Sequence, residues 1–265
     1  MYFDQRVPVY GKVLGHPDSL PAGRHTFPFS FLLPPNLPSS FEGAHGYVRY
    51  TVKATIDKPW KFDHDTKRPF TVICLLDLNL QPNAASGAQG TNSKMLCCLC
   101  CKSGPISGTV RIDRIGYVPG EAICINAETE NLSNRKCDVS ARLVMYTTFR
   151  ATTKSRTSCT EVARLTHPTL EEGGSDIWSG ERMAIPPVPP SFLVGCNIID
   201  ISYILEFVID PSGPAFKLSI PLEIIIGTIP LRSVLQHFQP PPPMAAATAE
   251  PIPPLPPSAP AMTDL

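Results

Sequence analysis

The amino-acid sequence predicts an all-β fold that ends in a proline-rich tail, and three observations support this. Apolar and polar residues alternate with a period of two in several segments, which is the pattern of half-buried strands. Turn-forming pairs such as Pro119-Gly120 and Gly173-Gly174 interrupt the alternation at short intervals. The run from Gly104 to Leu231 supplies about seven or eight strand candidates and no helical pattern, so it favours a two-sheet β-sandwich.

Three strand candidates lie in the first part of the chain, at Thr26 to Leu32, Tyr47 to Asp57 and Phe70 to Leu78. The second shows the clearest alternation, because polar residues separate its valines, alanine and isoleucine. A sheet of only three strands leaves its edges and one apolar face uncovered. Residues 1–79 are therefore predicted to form an incomplete amino-terminal β-domain.

The rest of the chain divides by composition into three parts. Residues 80–103 are predicted to be a linker, because Gln81 to Thr91 is rich in Ala, Gly, Ser, Asn and Gln and has no apolar period. Residues 104–231 are predicted to form the self-sufficient carboxy-terminal sandwich. Residues 232–265 are predicted to be a disordered tail, since a proline-rich composition buries little and favours extended geometry.

Composition argues against several classes of partner and compartment. The 23 basic and 23 acidic residues balance, so no net positive field attracts the chain to nucleic acid. Charged residues interrupt each long apolar run, and no membrane-spanning helix is expected. The first residues lack the basic and apolar segments of a secretory signal. Because the nine cysteines are an odd number and four are clustered, free thiols in the cytoplasm are predicted.

Five long segments carry a family signal, among them LPAGRHTFPFSFLLPPN at Leu20 to Asn36 and SFLVGCNIIDISYILEF within Ile185 to Val208. The others are Ser40 to Trp60, Gly104 to Glu121 and Ile220 to Leu231. In this order they closely resemble the arrestin domain-containing proteins, the α-arrestins. The resemblance implies two arrestin-like β-sandwich domains joined by a hinge. It also implies a non-enzymatic adaptor that links membrane-protein cargo to ubiquitin ligases and endosomal sorting.

The resemblance implies cytosolic regions of membrane proteins as partners and a cytoplasmic location with peripheral association to the plasma membrane and endosomes. Family members have several further strands before the position that corresponds to Met1. The sequence is therefore expected to be a shortened isoform, an incomplete gene model or a fragment. The alternative function is a truncated isoform that competes for binding without recruiting ligases. The last tyrosine is Tyr203, so recruitment through a Pro-Pro-x-Tyr motif in the tail is not expected.

Two short motifs in the tail are candidate peptide ligands, because proline pre-organises an extended chain for a binding groove. One resembles the late-domain ligand of the ubiquitin-variant domain of the endosomal sorting complex, and the other resembles a minor class of WW-domain ligand. The structural alternative for both is a solvated spacer. The late-domain motif is Pro257, Ser258, Ala259 and Pro260, and the WW-ligand motif is Pro253, Pro254, Leu255 and Pro256.

A cysteine cluster lies within the predicted linker and has three possible interpretations. It contains two overlapping C-x-x-C pairs, but a structural zinc site needs a second pair or a histidine pair, and the sequence shows neither. Exposed cysteines there could instead be sites of reversible S-acylation. A buried, thiol-rich strand is the favoured alternative, and no metal or cofactor is predicted. The cluster is Cys97, Cys98, Cys100 and Cys101.

No catalytic residue is predicted from the sequence. It has no Gly-x-Ser-x-Gly elbow, no phosphate-binding Gly-Lys loop and no His-Glu-x-x-His pair. The two tryptophans, Trp60 and Trp178, are expected to pack in the core or at a sheet edge rather than to stack on a ligand.

Overall fold

Nearly all of the regular secondary structure is β-strand, as the alternation predicts. The structure is a computed structural model that describes residues 1–17, 19–58, 60–98, 101–214 and 216–235. Within these ranges, three short 3-10 turns lie at Lys12–Leu14, Leu78–Leu80 and Ser191–Leu193. The all-β fold class is confirmed.

The first part of the chain forms two separate two-stranded antiparallel units. The first is a short hairpin, and the second is a longer ribbon whose strands pair from Tyr50 opposite Phe70 to Ile56 opposite His64. The hairpin consists of β1 (Phe41–Gly43) and β2 (Gly46–Val48), and the ribbon consists of β3 (Tyr50–Ile56) and β4 (His64–Phe70).

Two of the predicted amino-terminal strands are not strands in the structure. Thr26 to Leu32 pairs with no described strand, and Pro28 in its middle has no amide proton to donate to a ladder. Residues 71–76 belong to no strand, and several of their backbone amides bond to hydroxyl side chains. The amides of Val72, Cys74 and Leu76 donate to side-chain oxygens of Ser40, Ser39 and Thr228 at 2.8 to 3.0 Å.

Nine strands form the two sheets of the sandwich. The five-stranded sheet has the order β10-β9-β12-β13-β7, and the four-stranded sheet has the order β11-β8-β6-β5. Neighbouring strands are antiparallel except for β13 and β7. The strands are β5 (Ala88–Cys98), β6 (Cys101–Ile112), β7 (Gly116–Tyr117), β8 (Ala122–Asn131), β9 (Cys137–Arg150), β10 (Ser155–Thr166), β11 (Ser175–Ala184), β12 (Ile199–Pro211) and β13 (Leu218–Ile226).

Part of the predicted linker, residues 80–103, is strand rather than linker. Residues 88–98 form β5, which pairs with β6 from Ala88 opposite Ile112 onward. Packing against the facing sheet explains why the sequence of β5 lacks apolar alternation. A Cβ added at Gly90 would lie 2.5 Å from Ile220 Cγ2, so the large side chains of the facing sheet fill the space over this strand.

The core lies between the two sheets and follows the predicted alternation. Every second residue of β12 points inward and is buried, and the same holds for Ile123, Ile125 and Ala127 of β8. The ring of Trp178 meets Phe207 edge to face, with 5.3 Å between ring centroids. Burial of each large apolar side chain stabilises the fold by about 1.5–3 kcal/mol. The inward residues of β12 are Ile199, Ile201, Tyr203, Leu205, Phe207 and Ile209.

The two tryptophans have opposite environments. Trp178 is buried, as expected, with 1% of its surface exposed, whereas Trp60 between β3 and β4 is 103% exposed. The expectation of core or edge packing is therefore wrong for Trp60. A hydropathy pattern does not distinguish an aromatic at a ribbon tip from one in a core. Trp60 lies in the turn between β3 and β4, whereas Trp178 lies within β11.

Beyond Leu231 the structure describes one short element, the helix α1 (Arg232–Leu235). The predicted disordered tail from residue 236 onward lies outside the described residues. Among the residues that are described, no helix has the length and apolar character needed to span a bilayer.

Replacing the central core aromatic tests the role of inter-sheet packing. Phe207→Ala should lower the free energy of unfolding by about 3–5 kcal/mol, because it leaves a cavity between the sheets. Phe216→Ala is the matched control, since Phe216 is 84% exposed, and it should change stability by less than about 0.5 kcal/mol. Denaturant unfolding of both variants measures the difference, and equal losses would contradict the assignment of the core.

A candidate interaction cleft on the five-stranded sheet

The tail motifs cannot be placed in the structure. Pro253 to Pro256 and Pro257 to Pro260 lie outside the described residues. Both motifs therefore remain predictions from the sequence.

The cysteine cluster lies at one end of the β5–β6 pair. Cys97 and Cys98 are the last residues of β5, and Cys101 is the first residue of β6, where the register sets Cys98 opposite Cys101. Cys100 lies outside the described residues. The three interpretations of the cluster, a buried thiol-rich strand, S-acylation and a zinc site, therefore all remain predictions from the sequence.

A cleft of about 340 Å³ opens on the outer face of the five-stranded sheet. It lies over β9, β10 and β12, on the side of the sheet opposite the core. Its lining is mainly polar and carries both signs of charge. The lining residues used below are Ser140, Arg142, Arg164, Asp210 and Lys217.

Strand alternation and register bring these side chains together. Ala141 and Leu143 of β9 are buried in the core, so Ser140 and Arg142 project from the opposite face. The antiparallel register places Arg142 opposite Glu206 of β12 on one side and opposite Arg164 of β10 on the other. Like charges at directly opposite positions destabilise a sheet unless other groups neutralise them.

A glutamate neutralises each of the two facing arginines. Arg142 Nη2 lies 2.7 Å from Glu206 Oε2, and Arg164 Nη2 lies 2.6 Å from Glu161 Oε2. The Glu206 side chain is only 13% exposed, whereas Glu161 is half-exposed. Burial of a paired charge raises the cost of removing its partner, so the Glu206 pair is the stronger constraint.

Tyr146 completes the network around Glu206. Its hydroxyl donates to Glu206 Oε1 at 2.6 Å. This hydrogen bond to the carboxylate, together with partial desolvation, raises the pKa of Tyr146 to about 12. Glu206 therefore accepts from a guanidinium and a phenol at the same time.

The outer pairs of the cleft are more exposed to solvent. The Arg164 guanidinium beside Glu161 holds the pKa of that carboxyl below its ordinary value. At the other side, Lys217 Nζ lies 2.7 Å from Asp210 Oδ2. Exposed ion pairs contribute little to stability, so a charged ligand could exchange with them at low cost.

A histidine-carboxylate pair near the cleft has the geometry of a structural contact. His167 Nδ1 lies 3.0 Å from Asp176 Oδ1, and the indole Nε1 of Trp178 donates to Asp176 Oδ2 at 2.8 Å. The His167 ring stacks on Trp178 with 4.2 Å between ring centroids. The other ring nitrogen of His167 faces Glu181 Oε1 at 3.7 Å rather than a hydroxyl or thiol. The pair therefore anchors Trp178.

Cys137 is a buried thiol of low reactivity. Burial raises the pKa of the Cys137 thiol to about 11, which keeps it protonated at neutral pH. In the parts of the chain with described side chains, no three His, Cys, Asp or Glu residues converge as metal ligands.

The sequence alone does not predict this cleft. Arg142, Arg164 and Glu206 are far apart in the chain and form no contiguous motif. The signal that could have found them is the outward half of each alternating strand, which carries charges on β9, β10 and β12. This signal is useful only when the pairing order of the strands is known, because Arg142 and Glu206 are 64 positions apart in the chain.

Comparison with known proteins identifies the class of protein. The family model described as Arrestin (or S-antigen), N-terminal domain, matches residues 1–79. The family model described as Arrestin (or S-antigen), C-terminal domain, matches residues 102–231, which include the cleft. The chain belongs to the arrestin domain-containing family.

Individual relatives agree with this assignment. The chain is 35% identical over 222 residues to arrestin domain-containing protein 17 of Caenorhabditis elegans, covering 82% of this chain and 51% of that protein. It is 39% identical over 212 residues to arrestin domain-containing protein 4 of Homo sapiens, covering 80% and 50%. It is 30% identical over 209 residues to thioredoxin-interacting protein of Pongo abelii, covering 78% and 53%. The chain spans about half the length of these relatives.

The two glutamates of the cleft should differ in their contribution to stability. Glu206→Ala leaves Arg142 and Tyr146 without their shared acceptor and should lower the free energy of unfolding by about 2 kcal/mol. Glu161→Ala, the control in the exposed pair, should cost less than about 1 kcal/mol. Urea unfolding of both variants makes the comparison, and a larger loss for Glu161→Ala would refute the order.

The Tyr146 pKa gives a separate test at high pH. A raised pKa favours the neutral phenol in the folded protein, so its contribution to stability is complete below pH 10.0 and disappears as pH rises through about 12. Glu206→Gln should move the pKa of Tyr146 back toward 10.0, because the acceptor loses its charge. Spectroscopic titration of tyrosinate, with Tyr146→Phe to assign the signal, measures the shift. An unchanged titration in Glu206→Gln would show that Glu206 is not the cause.

Proposed function

We propose that this protein is a non-enzymatic adaptor that links the cytosolic regions of membrane proteins to ubiquitin-dependent endosomal sorting. The observation that carries the proposal is the match of arrestin domain models to residues 1–79 and 102–231. Members of this family are generally adaptors rather than enzymes.

The cleft on the five-stranded sheet is the proposed contact for cargo. Arg142, Arg164 and Lys217 bring three cationic side chains to its lining, and each is paired with a carboxylate of the same chain. An acidic segment of a membrane protein would displace the exposed partners of Arg164 and Lys217. Arg142 would remain held by the more buried Glu206. This arrangement favours a reversible contact, because the displaced pairs cost little to open.

The tail is the proposed contact for sorting factors. Pro257 to Pro260 would bind the ubiquitin-variant domain of the endosomal sorting complex, and Pro253 to Pro256 would bind WW domains. A proline-rich segment loses little conformational entropy when a groove captures it in extended form. The two motifs are adjacent, so one tail would hold one such partner at a time.

The proposed location is the cytoplasm, with peripheral association to the plasma membrane and endosomes. Reversible S-acylation of Cys97, Cys98, Cys100 and Cys101 would strengthen that association. More than one membrane-binding signal is required for stable anchoring, because a single acyl chain gives only marginal binding.

Binding measurements on the tail test the sorting role. A peptide covering Pro251 to Leu265 should bind the isolated ubiquitin-variant domain, and Pro257→Ala with Pro260→Ala should weaken that binding by at least about tenfold. The matched control is Pro253→Ala with Pro254→Ala, which should spare this contact and weaken binding to WW domains instead. Titration calorimetry measures the binding of each variant peptide to each of the two domains, with the wild-type peptide as reference.

Equal binding of the wild-type and Pro257→Ala, Pro260→Ala peptides would reject the late-domain motif. Loss of the ubiquitin-variant contact in the Pro253→Ala, Pro254→Ala peptide would indicate that proline content, rather than the motif, determines binding.

A further inference from the structure

Two fully exposed aromatic side chains lie at the end of the β3–β4 ribbon. Trp60 is 103% exposed and Phe62 is 97% exposed, the highest values for any described aromatic residue. Single exposed apolar residues are common on protein surfaces, but adjacent large ones mark interaction sites. We call Lys58, Trp60, Lys61 and Phe62 the aromatic tip.

Two other exposed aromatics, Tyr47 and Phe216, are each covered by a neighbouring cation, and the aromatic tip is not. Arg49 lies over the ring of Tyr47 at 3.8 Å, and Lys94 lies 5.0 Å from the ring of Phe216. No ring or cation contact to Trp60 or Phe62 is found within the described ranges. These two rings therefore present their faces to water.

The charges around the aromatic tip are positive on balance. Residues 53–68 contain five Lys or Arg and three Asp, although the whole chain carries no net charge. Two of the three acids are engaged within the ribbon: Asp65 pairs with Lys53 at 2.7 Å, and Asp63 accepts the backbone amide of Lys58 at 3.1 Å. Within the described ranges, neither Lys58 nor Lys61 forms an ion pair with a carboxylate. Their ammonium groups can thus meet an external anion.

The ribbon holds the aromatic tip away from the folded body. Tyr50 at its base is buried and its ring centroid lies 5.9 Å from that of Phe70, whereas the strand residues from Lys53 to Ile56 are exposed. Six residue steps along a strand span about 20 Å. The aromatic tip can therefore enter another phase while the sandwich stays in water.

We propose that the aromatic tip inserts into the interface of an anionic lipid bilayer. Trp and Phe rings partition to the boundary between headgroups and acyl chains, and flanking lysines bind the negative headgroups. An exposed tip with two separate rings suits a soft bilayer, whereas a protein partner would need a surface that matches both rings. This inference goes beyond the adaptor role and does not depend on the cleft or the tail.

Vesicle binding of the full chain tests the proposal without cargo or sorting factors. The protein should sediment with vesicles of phosphatidylcholine and phosphatidylserine, and much less with phosphatidylcholine alone. Trp60→Ala with Phe62→Ala should lower the partition coefficient by at least about tenfold. Phe216→Ala, an exposed aromatic elsewhere, is the matched control and should bind as the wild type does.

The lysines should act only through the lipid charge. Lys58→Gln with Lys61→Gln should lower binding to the anionic vesicles by about tenfold and leave binding to neutral vesicles unchanged. Raising the salt concentration should have the same effect on the wild type, because ions screen exposed charges.

Tryptophan fluorescence reports the insertion directly. The chain has two tryptophans, and Trp178 is buried, so a blue shift on addition of anionic vesicles reports Trp60. Trp60→Phe should abolish the shift and retain most of the binding. An unchanged wild-type emission, or an equal loss of binding in Phe216→Ala, would overturn the proposal. A blue shift that grows with protein concentration in the absence of lipid would also overturn it, because the tip would then bind a second copy of the chain.

Discussion

The structure depends on the close packing of β12 against the four-stranded sheet. Every second side chain of this central strand is buried, and Phe207 meets Trp178 across the core. Glycines make the contact possible, since a Cβ at Gly108 would lie 2.8 Å from Ile209 Cδ1. The polar network of Asp176 and His167 holds Trp178 in this position. The core thus fixes both faces of the five-stranded sheet, including the outward face that carries the cleft.

Much of the sandwich could be predicted from sequence, because burial imposes a period of two on each strand. Ile199 to Ile209 and Ile123 to Ala127 show this pattern, and both are strands. The strand prediction failed in two situations. In one, the backbone forms hydrogen bonds with side chains instead of with a strand; in the other, the apolar contacts of a strand come from the facing sheet. Several amides of residues 71–76 bond to hydroxyls, and β5 is polar because residues of β13 fill the space beside Gly90.

The candidate sites differ in how far the sequence can locate them. The tail motifs are contiguous, so they are visible in the sequence and need no register. The cleft depends on strand order, since Arg142 meets Glu206 and Arg164 only after β9 pairs with both neighbours. The aromatic tip is contiguous, but its function depends on exposure. Trp60 and Trp178 both follow apolar patterns, and only the fold separates a surface ring from a core ring.

Native-state hydrogen exchange tests the central claim most directly, namely that one inter-sheet core supports separate binding surfaces. The account predicts that amides of β8, β9 and β12 exchange slowest and together, through global unfolding. The β3–β4 ribbon, packed only at its base, should exchange much faster through local opening. Slow exchange of the ribbon with the same free energy as β12, or fast exchange within β12, would contradict the account.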